Sequence, residues 1–312
     1  MKNKAVPELL IAAGSPEQIE RYVAAGADAV LIGEPRFAMR LPGAITAERL
    51  AEAVALAHRL GARAYVAVNK LFRNAELAAL PEYLRLVRAA GADAAVFGDP
   101  AVPYVLREYG IDLPLHWNGE MTGTNSQAAA FWKRHGAVRA VLARELNGEE
   151  IRQFARRAGM ETQVQVHGAT NIYHAYRQLL HHYMTYTGRE ARLQDLGPGR
   201  GLCLVETERP DQWFPVFEDE NGTHVMSAED LCLIEVLPEL IDAGVTSLYV
   251  EPLLKSEAYN EAALRAYRTA LDTWAADPAA YSFREEWLEP VLALQDPRRE
   301  LGFGFYYKEQ VY

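Results

Sequence analysis

The sequence predicts an α/β fold, and within that class a TIM-like (β/α)8 barrel, from three observations. Eight short apolar runs follow one another at regular spacing, and runs without polar alternation are typical of strands buried on both faces of a parallel sheet. Amphipathic segments separate nearly all of these runs. A helix end, a glycine and an apolar run occur together at residues 24–33 and 89–98, with a looser copy at 242–251. Eight such units indicate a barrel.

The predicted strands begin and end where the apolar runs do. They cover residues 8–13, 29–32, 64–68, 94–97, 113–118, 140–143, 162–166 and 247–250.

Four amphipathic segments are predicted as helices, at residues 16–25, 46–60, 76–90 and 228–243. The first begins at Ser15-Pro16, where a capping side chain precedes a proline suited to the first helical position. Thr46 and Ser227 stand in similar positions before the second and the fourth segment.

The last barrel unit is reached only after a long insertion between strands 7 and 8, over residues 168–227. Within it, residues 214–218 and 223–226 flank Asn221-Gly222, a pair that predicts a β-hairpin. We expect one barrel domain over residues 1–275, insertion included. Residues 276–312 are polar and then aromatic, and we expect them to form a C-terminal arm that packs on the barrel.

Composition excludes several classes of protein. A formal net charge of −10 over 312 residues argues against a surface that is basic overall, although a local basic patch is compatible with it. The two cysteines, Cys203 and Cys232, predict no disulfide framework and fit a reducing, cytoplasmic compartment. Residues 1–7 lack the apolar core of a signal peptide, and no apolar run approaches the roughly 18 residues of a membrane span, so we expect no membrane partner.

Polar residues cluster where the predicted strands end. In a (β/α)8 barrel the carboxyl ends of all strands open at one mouth, which is where active sites lie. The residues expected there are Glu34, Arg36, Arg40, Asn69, Lys70, Asp99, His116, Asn118, Glu120, Arg144, Glu145, His167 and Glu251. The substrate-binding candidates among them are Glu34, Arg36, Arg40, Asn69, His116, Asn118, Arg144 and Glu251, and the catalytic candidates are Glu145 and His167.

Two interpretations of this set stay open. In the functional one, the mouth is a cleft for a small anionic or polar substrate, which the arginines bind through paired N–H groups while Glu145 or His167 acts as acid or base. In the structural one, Arg144 and Glu145 form an internal ion pair, and the histidines are hydrogen-bonded barrel residues.

Other chemistries find little support in the sequence. It contains no His-Glu-x-x-His motif and no Gly-x-Ser-x-Gly elbow. Cys232 lies in an apolar stretch predicted to be helical, which favours a core residue over a nucleophile. His116, Glu120 and His167 match no recognised spacing of metal ligands, so we expect no metal site.

The insertion interleaves aromatic and basic residues. They are His181, His182, Tyr183 and Tyr186, with Arg177, Arg189, Arg192 and Arg200 nearby. Such a pattern occurs on surfaces that contact RNA or another subunit. It also occurs on a solvated helix face whose tyrosines belong to the core. Four acidic residues nearby offset much of the positive charge, and both interpretations stay open.

The stretch from residue 166 to residue 209 carries the most specific motifs. It reads Val-His-Gly-Ala-Thr-Asn at 166–171, Tyr-Arg-Gln at 176–178, Arg-Gly-Leu-Cys at 200–203 and Glu-Thr-Glu-Arg at 206–209. This stretch resembles the signature region of the peptidase U32 family, also called collagenase-like proteases. Further resemblance lies at residues 37–40, 68–69 and 143–146. Residues 216–224 and 302–309 are similar to a short subgroup from Gram-positive bacteria, in which a short chain is paired with a longer paralogue.

The resemblance implies an iron–sulfur site whose ligands this chain does not retain. Family members usually carry four cysteines in this stretch, and the corresponding positions here are Asn171, Gln178, Cys203 and Thr207. Amides and a hydroxyl are poor replacements for thiolates on iron. We therefore expect no bound cofactor.

The resemblance leaves two hypotheses for function. Better understood relatives hydroxylate a wobble uridine of tRNA, with prephenate implicated and a cluster-bearing chain present. In the first hypothesis, this chain is the cluster-free partner of a longer U32 paralogue and binds tRNA, or a small anion such as prephenate, without performing the redox step. In the second, it is a stand-alone hydrolase, a collagenase-like peptidase that uses the polar barrel mouth.

Overall fold

The structure is a computed structural model and describes residues 6–309. Residues 1–5 of the predicted barrel domain and residues 310–312 of the predicted arm lie outside the described residues. The strands, in chain order, are β1 (Glu8–Ala12), β2 (Ala29–Ile32), β3 (Arg63–Val68), β4 (Ala94–Phe97), β5 (Leu115–Asn118), β6 (Ala137–Val141), β7 (Glu161–Ala175), β8 (Cys203–Glu206), β9 (Arg209–Asp219), β10 (Gly222–Cys232), β11 (Ser247–Val250) and β12 (Leu301–Gly302).

The helices lie mainly between consecutive strands. They are α1 (Pro16–Ala24), α2 (Ala47–Arg59), α3 (Asn74–Leu77), α4 (Leu80–Ala89), α5 (Ala101–Glu108), α6 (Ser126–Arg134), α7 (Gly148–Ala158), α8 (Leu179–Tyr186), α9 (Leu237–Ala243), α10 (Glu257–Ala276) and α11 (Glu289–Leu292). Among residues 6–309, no helix is both long enough and apolar enough to cross a membrane.

Eight parallel strands close into a barrel, which confirms the predicted fold class. β1 to β7 pair in sequence order, and β11 closes the ring because it pairs with both β1 and β7. Side chains alternate along each strand. On β1, Leu10 and Ala12 pack inside the barrel with Tyr65 and Tyr249, whereas Leu9 and Ile11 belong to the larger core that includes the surrounding helices.

The repeated glycines end helices as predicted. Gly26, Gly91 and Gly244 have φ values of 109°, 78° and 93°. These are left-handed conformations that glycine adopts without steric cost. Each glycine turns the chain out of a helix and towards the next strand. At the other end of α1, the hydroxyl of Ser15 accepts a hydrogen bond from the backbone N–H of Gln18 at 3.2 Å, as expected of a cap.

The fourth predicted helix is wrong over its first part. Residues 228–232 belong to β10, and α9 begins only at Leu237, after one turn of 3-10 helix. β10 continues beyond Met226 because it pairs antiparallel with β7, with register shifts on either side of that residue. Ser227 is not a helix cap: its hydroxyl accepts from the N–H of Thr170 and donates to the carbonyl of Glu229. Pairing with a strand distant in sequence has overridden a helical pattern.

The insertion continues the barrel sheet beyond the mouth. β7 is 15 residues long. Its second half pairs with β10, which pairs with β9, which in turn pairs with β8. The predicted hairpin is confirmed: Asp219 pairs with Gly222, whose φ is 110°. At the hairpin tip, the Asn221 amide donates to the carbonyls of Pro35 and Ala38 at 3.2 and 3.1 Å.

The segment after α10 lies against the barrel. β12 pairs with β10 through Asp230 and Leu231. The ring of Tyr306 packs so closely on Gly148 that any added Cβ there would lie 2.7 Å from it. The Tyr306 hydroxyl donates to Glu239 Oε2 at 2.9 Å. Aromatic side chains and one short strand therefore attach this segment to α7, α9 and the insertion sheet.

Gly168 marks the point where β7 leaves the barrel, and we expect Gly168→Ala to destabilise the fold. Its φ is +94°, and an added Cβ would lie 2.3 Å from the carbonyl oxygen of Glu251. Gly61 is the matched control, because its φ is +81° but nothing lies within 4 Å of an added Cβ. Gly61→Ala should therefore lower the free energy of unfolding by only about 1–2 kcal/mol, the cost of placing a residue with a Cβ in the left-handed conformation. Gly168→Ala should cost a further ~1–3 kcal/mol of unfolding free energy in urea titrations, from overpacking. Equal losses would contradict this account.

Candidate functional site

Four charged side chains fill the mouth of the barrel. Arg40 follows β2, Glu120 follows β5, Arg144 follows β6 and Glu251 follows β11. Arg40 forms an ion pair with Glu120. Arg144 Nη2 lies 2.8 Å from Glu120 Oε2 and 3.6 Å from Glu251 Oε2. The mouth is thus a single network in which Glu120 joins the two arginines and Arg144 joins the two carboxylates.

Burial governs the electrostatics of this network. Arg40 and Glu251 are 7% and 2% exposed. Burial lowers the pKa of Arg40 to about 10, and the charge of Arg144 acts in the same direction. Burial raises the pKa of Glu251, while Arg144 and Arg40 partly oppose that rise. Arg40 stays charged at neutral pH and is held in a left-handed conformation with φ of 57°, which costs energy for a residue with a Cβ.

Two predicted asparagines position the backbone of this network. Asn69 Oδ1 accepts from the N–H of Met39 at 2.9 Å, directly before Arg40. Asn118 Oδ1 lies 3.4 Å from the N–H of Glu120. The two amides therefore support the segments that carry Arg40 and Glu120.

The space left in the mouth is small. The cavity bounded by Asn69, Asn118 and the ion network has a volume of about 40 Å³. Substrate pockets typically have several hundred Å³, whereas ordered water needs only about 10–15 Å³. Among the described residues, Arg144 Nη1, Gln163 Oε1 and Gln165 Oε1 are buried without a hydrogen-bond partner. One donor and two acceptors suit water, and an organic anion as large as prephenate does not fit in this cavity.

Glu34 and Arg36 are among the predicted mouth residues whose contacts lie outside the network. Glu34 accepts a hydrogen bond from the backbone of Ala47 at the start of α2, and burial raises its pKa. Arg36 is exposed, with its guanidinium 5.2 Å from the centre of the Phe37 ring. Glu145 is exposed.

His116 lies inside the barrel beside the cluster at its other end. Its ring contacts that of Tyr65 edge-on at 4.6 Å. The Tyr65 hydroxyl donates to Glu8 Oε2 at 2.6 Å, and Arg139 Nη1 donates to Glu8 Oε1 at 2.6 Å. Burial, with help from the charge of Arg139, lowers the pKa of His116 well below its usual value. His116 is therefore a neutral interior residue at neutral pH.

A bulge in β7 turns His167 away from the mouth. Gln165 pairs with Tyr249, but the next partners are His167 and Val250, so β7 contains one extra residue. The His167 ring contacts two tyrosines of α10, and its Nε2 is hydrogen-bonded to the Tyr259 hydroxyl at 3.0 Å. Burial lowers its pKa to about 4. His167 is thus a neutral residue between the barrel and α10.

A second polar site lies beside the insertion and has no signal in the sequence. Asp230 is fully buried, accepts from Arg299 Nη2 at 2.7 Å and forms an ion pair with Lys255. Burial alone would raise the pKa of Asp230, but Arg299 and Lys255 outweigh it and hold the pKa at about 2. A cavity of about 590 Å³ lies beside Lys255 and Arg299, and its wall includes Gly197, Gly199, Gly201, Cys203 and Trp213. The sequence pattern predicts a helix at Asp230, whereas the residue lies in β10 and pairs with the C-terminal segment.

The four positions at which the resembled family carries cysteines do not fit an iron–sulfur cluster. Asn171 is buried in β7, and its amide donates to two backbone carbonyls of the insertion. Burial raises the pKa of the Cys203 thiol, which disfavours the thiolate that iron requires. Gln178 precedes α8, and Thr207 is exposed between β8 and β9. Over residues 6–309, no group of three or more His, Cys, Asp or Glu side chains is placed to hold a metal ion.

Cys232 lies at the end of β10 and not in a helix. Its sulfur is 3.9 Å from the Tyr267 hydroxyl, and burial raises its pKa to about 11. Cys232 is therefore a core residue with an unreactive thiol.

Comparison with known proteins places this architecture in a family. The sequence model of peptidase family U32 matches residues 14–311. This chain belongs to the peptidase U32 family. It is 42% identical over 307 residues to tRNA hydroxylation protein P2 of Bacillus subtilis, which spans 98% of this chain and 99% of that protein. It is 32% identical to tRNA hydroxylation protein P1 of the same organism, over 91% of this chain and 68% of that longer protein.

A solved structure of a U32 peptidase supports the fold of this U32 chain. The two superpose with a TM-score of 0.52 at 15% sequence identity, over 80% of this chain and 94% of the other. At that level of identity, the similarity concerns the fold alone.

We expect Arg144→Ala to lower the free energy of unfolding by about 3–5 kcal/mol, because it leaves the buried Glu251 without its nearest cation. Chemical denaturation measures the loss. The exposed Arg36→Ala is the control and should stay within about 0.5 kcal/mol of the wild type. Adding Glu251→Gln to Arg144→Ala should recover part of the stability, since it removes the uncompensated charge. Strictly additive losses in the double variant would contradict the ion network.

His167 should make the folded chain sensitive to acid. Its folded pKa of about 4 lies below the usual 6.5, so the unfolded state binds the extra proton first as the pH falls. The stabilisation is complete above pH ~6.5 and is lost between about 6.5 and 4, by about 3 kcal/mol. His167→Gln keeps a group that can hydrogen-bond to Tyr259, and this group does not titrate. Its unfolding free energy should therefore fall by about 3 kcal/mol less over that interval, and parallel pH curves for the two proteins would argue against this assignment.

Proposed function

We propose that this chain is the cluster-free subunit of a tRNA-hydroxylating system. In this proposal it acts with a longer U32 paralogue that converts a wobble uridine of tRNA to 5-hydroxyuridine. The observation that carries the proposal is the 42% identity to tRNA hydroxylation protein P2 over nearly the full length of both chains. The longer tRNA hydroxylation protein P1, from the same organism as protein P2, supports the pairing of a short with a long chain. A tRNA substrate implies a cytoplasmic protein.

The donor chemistry supports assigning the redox step to the partner. Asn171, Gln178 and Thr207 provide amide and hydroxyl groups, and Cys203 provides a neutral thiol. These groups are poor ligands for an iron–sulfur cluster. The contribution of this chain is then to bind the RNA or the partner and to orient one relative to the other.

A stand-alone peptidase finds less support in the same geometry. His167 is turned towards α10, so this candidate acid or base does not face the ion network of the mouth. A cavity of about 40 Å³ is also far too small for a peptide.

Deletion of the gene, followed by mass analysis of tRNA nucleosides, tests the proposal. We expect 5-hydroxyuridine derivatives at the wobble position to fall and to return when the gene is restored. The purified chain should contain no stoichiometric iron, and a tagged version should co-purify with a longer U32 chain. Unchanged nucleoside levels in the deletion strain would remove the proposed function. Proteolysis of gelatin by the purified chain would favour the peptidase instead.

A further inference from the structure

We infer that the exposed face of α8, with the arginines around it, is a docking surface for single-stranded RNA. The α8 surface is defined here as Arg177, Tyr183, Tyr186, Arg189 and Arg192. The inference rests on the proposed function and deepens it, because it names where this chain contacts RNA.

The aromatic residues of α8 point outward. Leu179, Tyr183 and Tyr186 are spaced as i, i+4 and i+7 and therefore share one helix face. They are 39%, 59% and 88% exposed. The opposite face carries the buried Leu180, which packs with Leu196 and neighbouring residues of the insertion. The tyrosines are thus not core residues, and their rings present free π faces to solvent.

The charge around α8 differs from that of the rest of the protein. Residues 172–195 contain three arginines and two acidic residues, Glu190 and Asp195, in a chain whose net charge is −10. Arg177, Arg189 and Arg192 are exposed, and within residues 6–309 none of them lies in an ion pair. Unpaired guanidinium groups are available to form bidentate hydrogen bonds with phosphate.

The helix that carries this surface is fixed in place. The backbone N–H groups of Leu180 and His181 donate to the carboxylate of Glu218 at 2.8 and 3.0 Å. The N–H of Leu179 donates to the hydroxyl of Thr223 at 2.9 Å. Both acceptors belong to the β9–β10 hairpin, so the sheet presents α8 as a rigid platform.

This combination fits a single-stranded nucleic acid better than a protein. Bases of any identity stack on exposed aromatic rings, and the backbone phosphates bind free arginines, which is the usual chemistry of single-strand binding. Double-stranded RNA offers no free base face to Tyr183 and Tyr186. The occupant we assign is therefore an unpaired RNA segment, such as a loop.

Binding of fluorescein-labelled oligouridylate to the full-length chain tests the surface. We expect Tyr183→Ala/Tyr186→Ala to weaken binding by about 10-fold or more, in line with the loss of base stacking. Arg189→Gln/Arg192→Gln should reduce the slope of log Kd against log salt by about 1.4, the value for two lost phosphate contacts. An oligouridylate–oligoadenylate duplex should bind more weakly than the single strand.

The matched control lies at the carboxyl end of α5, with Tyr104 in the helix and Tyr109 directly after it. Tyr104 and Tyr109 are 56% and 50% exposed, and Tyr104→Ala/Tyr109→Ala should change Kd by less than about twofold. Circular dichroism should show that all variants remain folded. Failure of the wild-type chain to bind oligouridylate at low salt, or equal affinity of the α8 variants, overturns the inference.

Two further results separate this inference from the proposed function. If the α8 variants keep their RNA affinity but lose association with the longer U32 chain, the surface is a subunit contact and the RNA assignment falls. If gene deletion leaves 5-hydroxyuridine unchanged while the binding results hold, the RNA surface stands and the proposed function falls.

Discussion

The passage of β7 out of the barrel is the constraint on which the rest of the structure depends. β6 pairs with β7 as far as Gln163, and β11 pairs with it as far as His167. From His167 onward, β7 pairs with β10. A bulge and the left-handed Gly168 allow the exchange. Because one continuous strand belongs to both sheets, the orientation of the insertion is fixed by the barrel itself. The same bulge directs the His167 side chain out of the barrel interior and towards α10.

The two ends of the barrel are closed by different charged clusters. At the end where the strands begin, Glu8 binds Arg139 and the Tyr65 hydroxyl. At the end where they finish, Arg40 and Arg144 bind Glu120. Buried charges of this kind are strongly destabilising when one partner is removed, and they leave little room for a ligand. The interior is therefore a filled core.

Much of the fold was predictable because it rests on local patterns. Short apolar runs located the strands, although residues 140–143 were predicted where β6 spans Ala137–Val141, and glycines such as Gly26 and Gly244 marked the helix ends. The strand at residues 228–232 was not predictable, because pairing with β7 decides it. The network of the mouth was partly predictable from strand order, which brought Arg40, Arg144 and Glu251 together. The orientation of His167 was not predictable, because a bulge of one residue leaves no signal in the sequence.

The hairpin tip has a mechanical consequence. The Asn221 amide donates to the carbonyls of Pro35 and Ala38, which belong to the β2–α2 loop that also carries the strained Arg40. The hairpin tip is thus attached to the segment of the mouth in which Arg40 adopts its unfavourable left-handed conformation. Any force on the insertion that moves this tip must either break two hydrogen bonds or transmit the movement to Arg40. A displacement of the insertion would therefore reach the ion network through the hairpin tip and the backbone of Arg40.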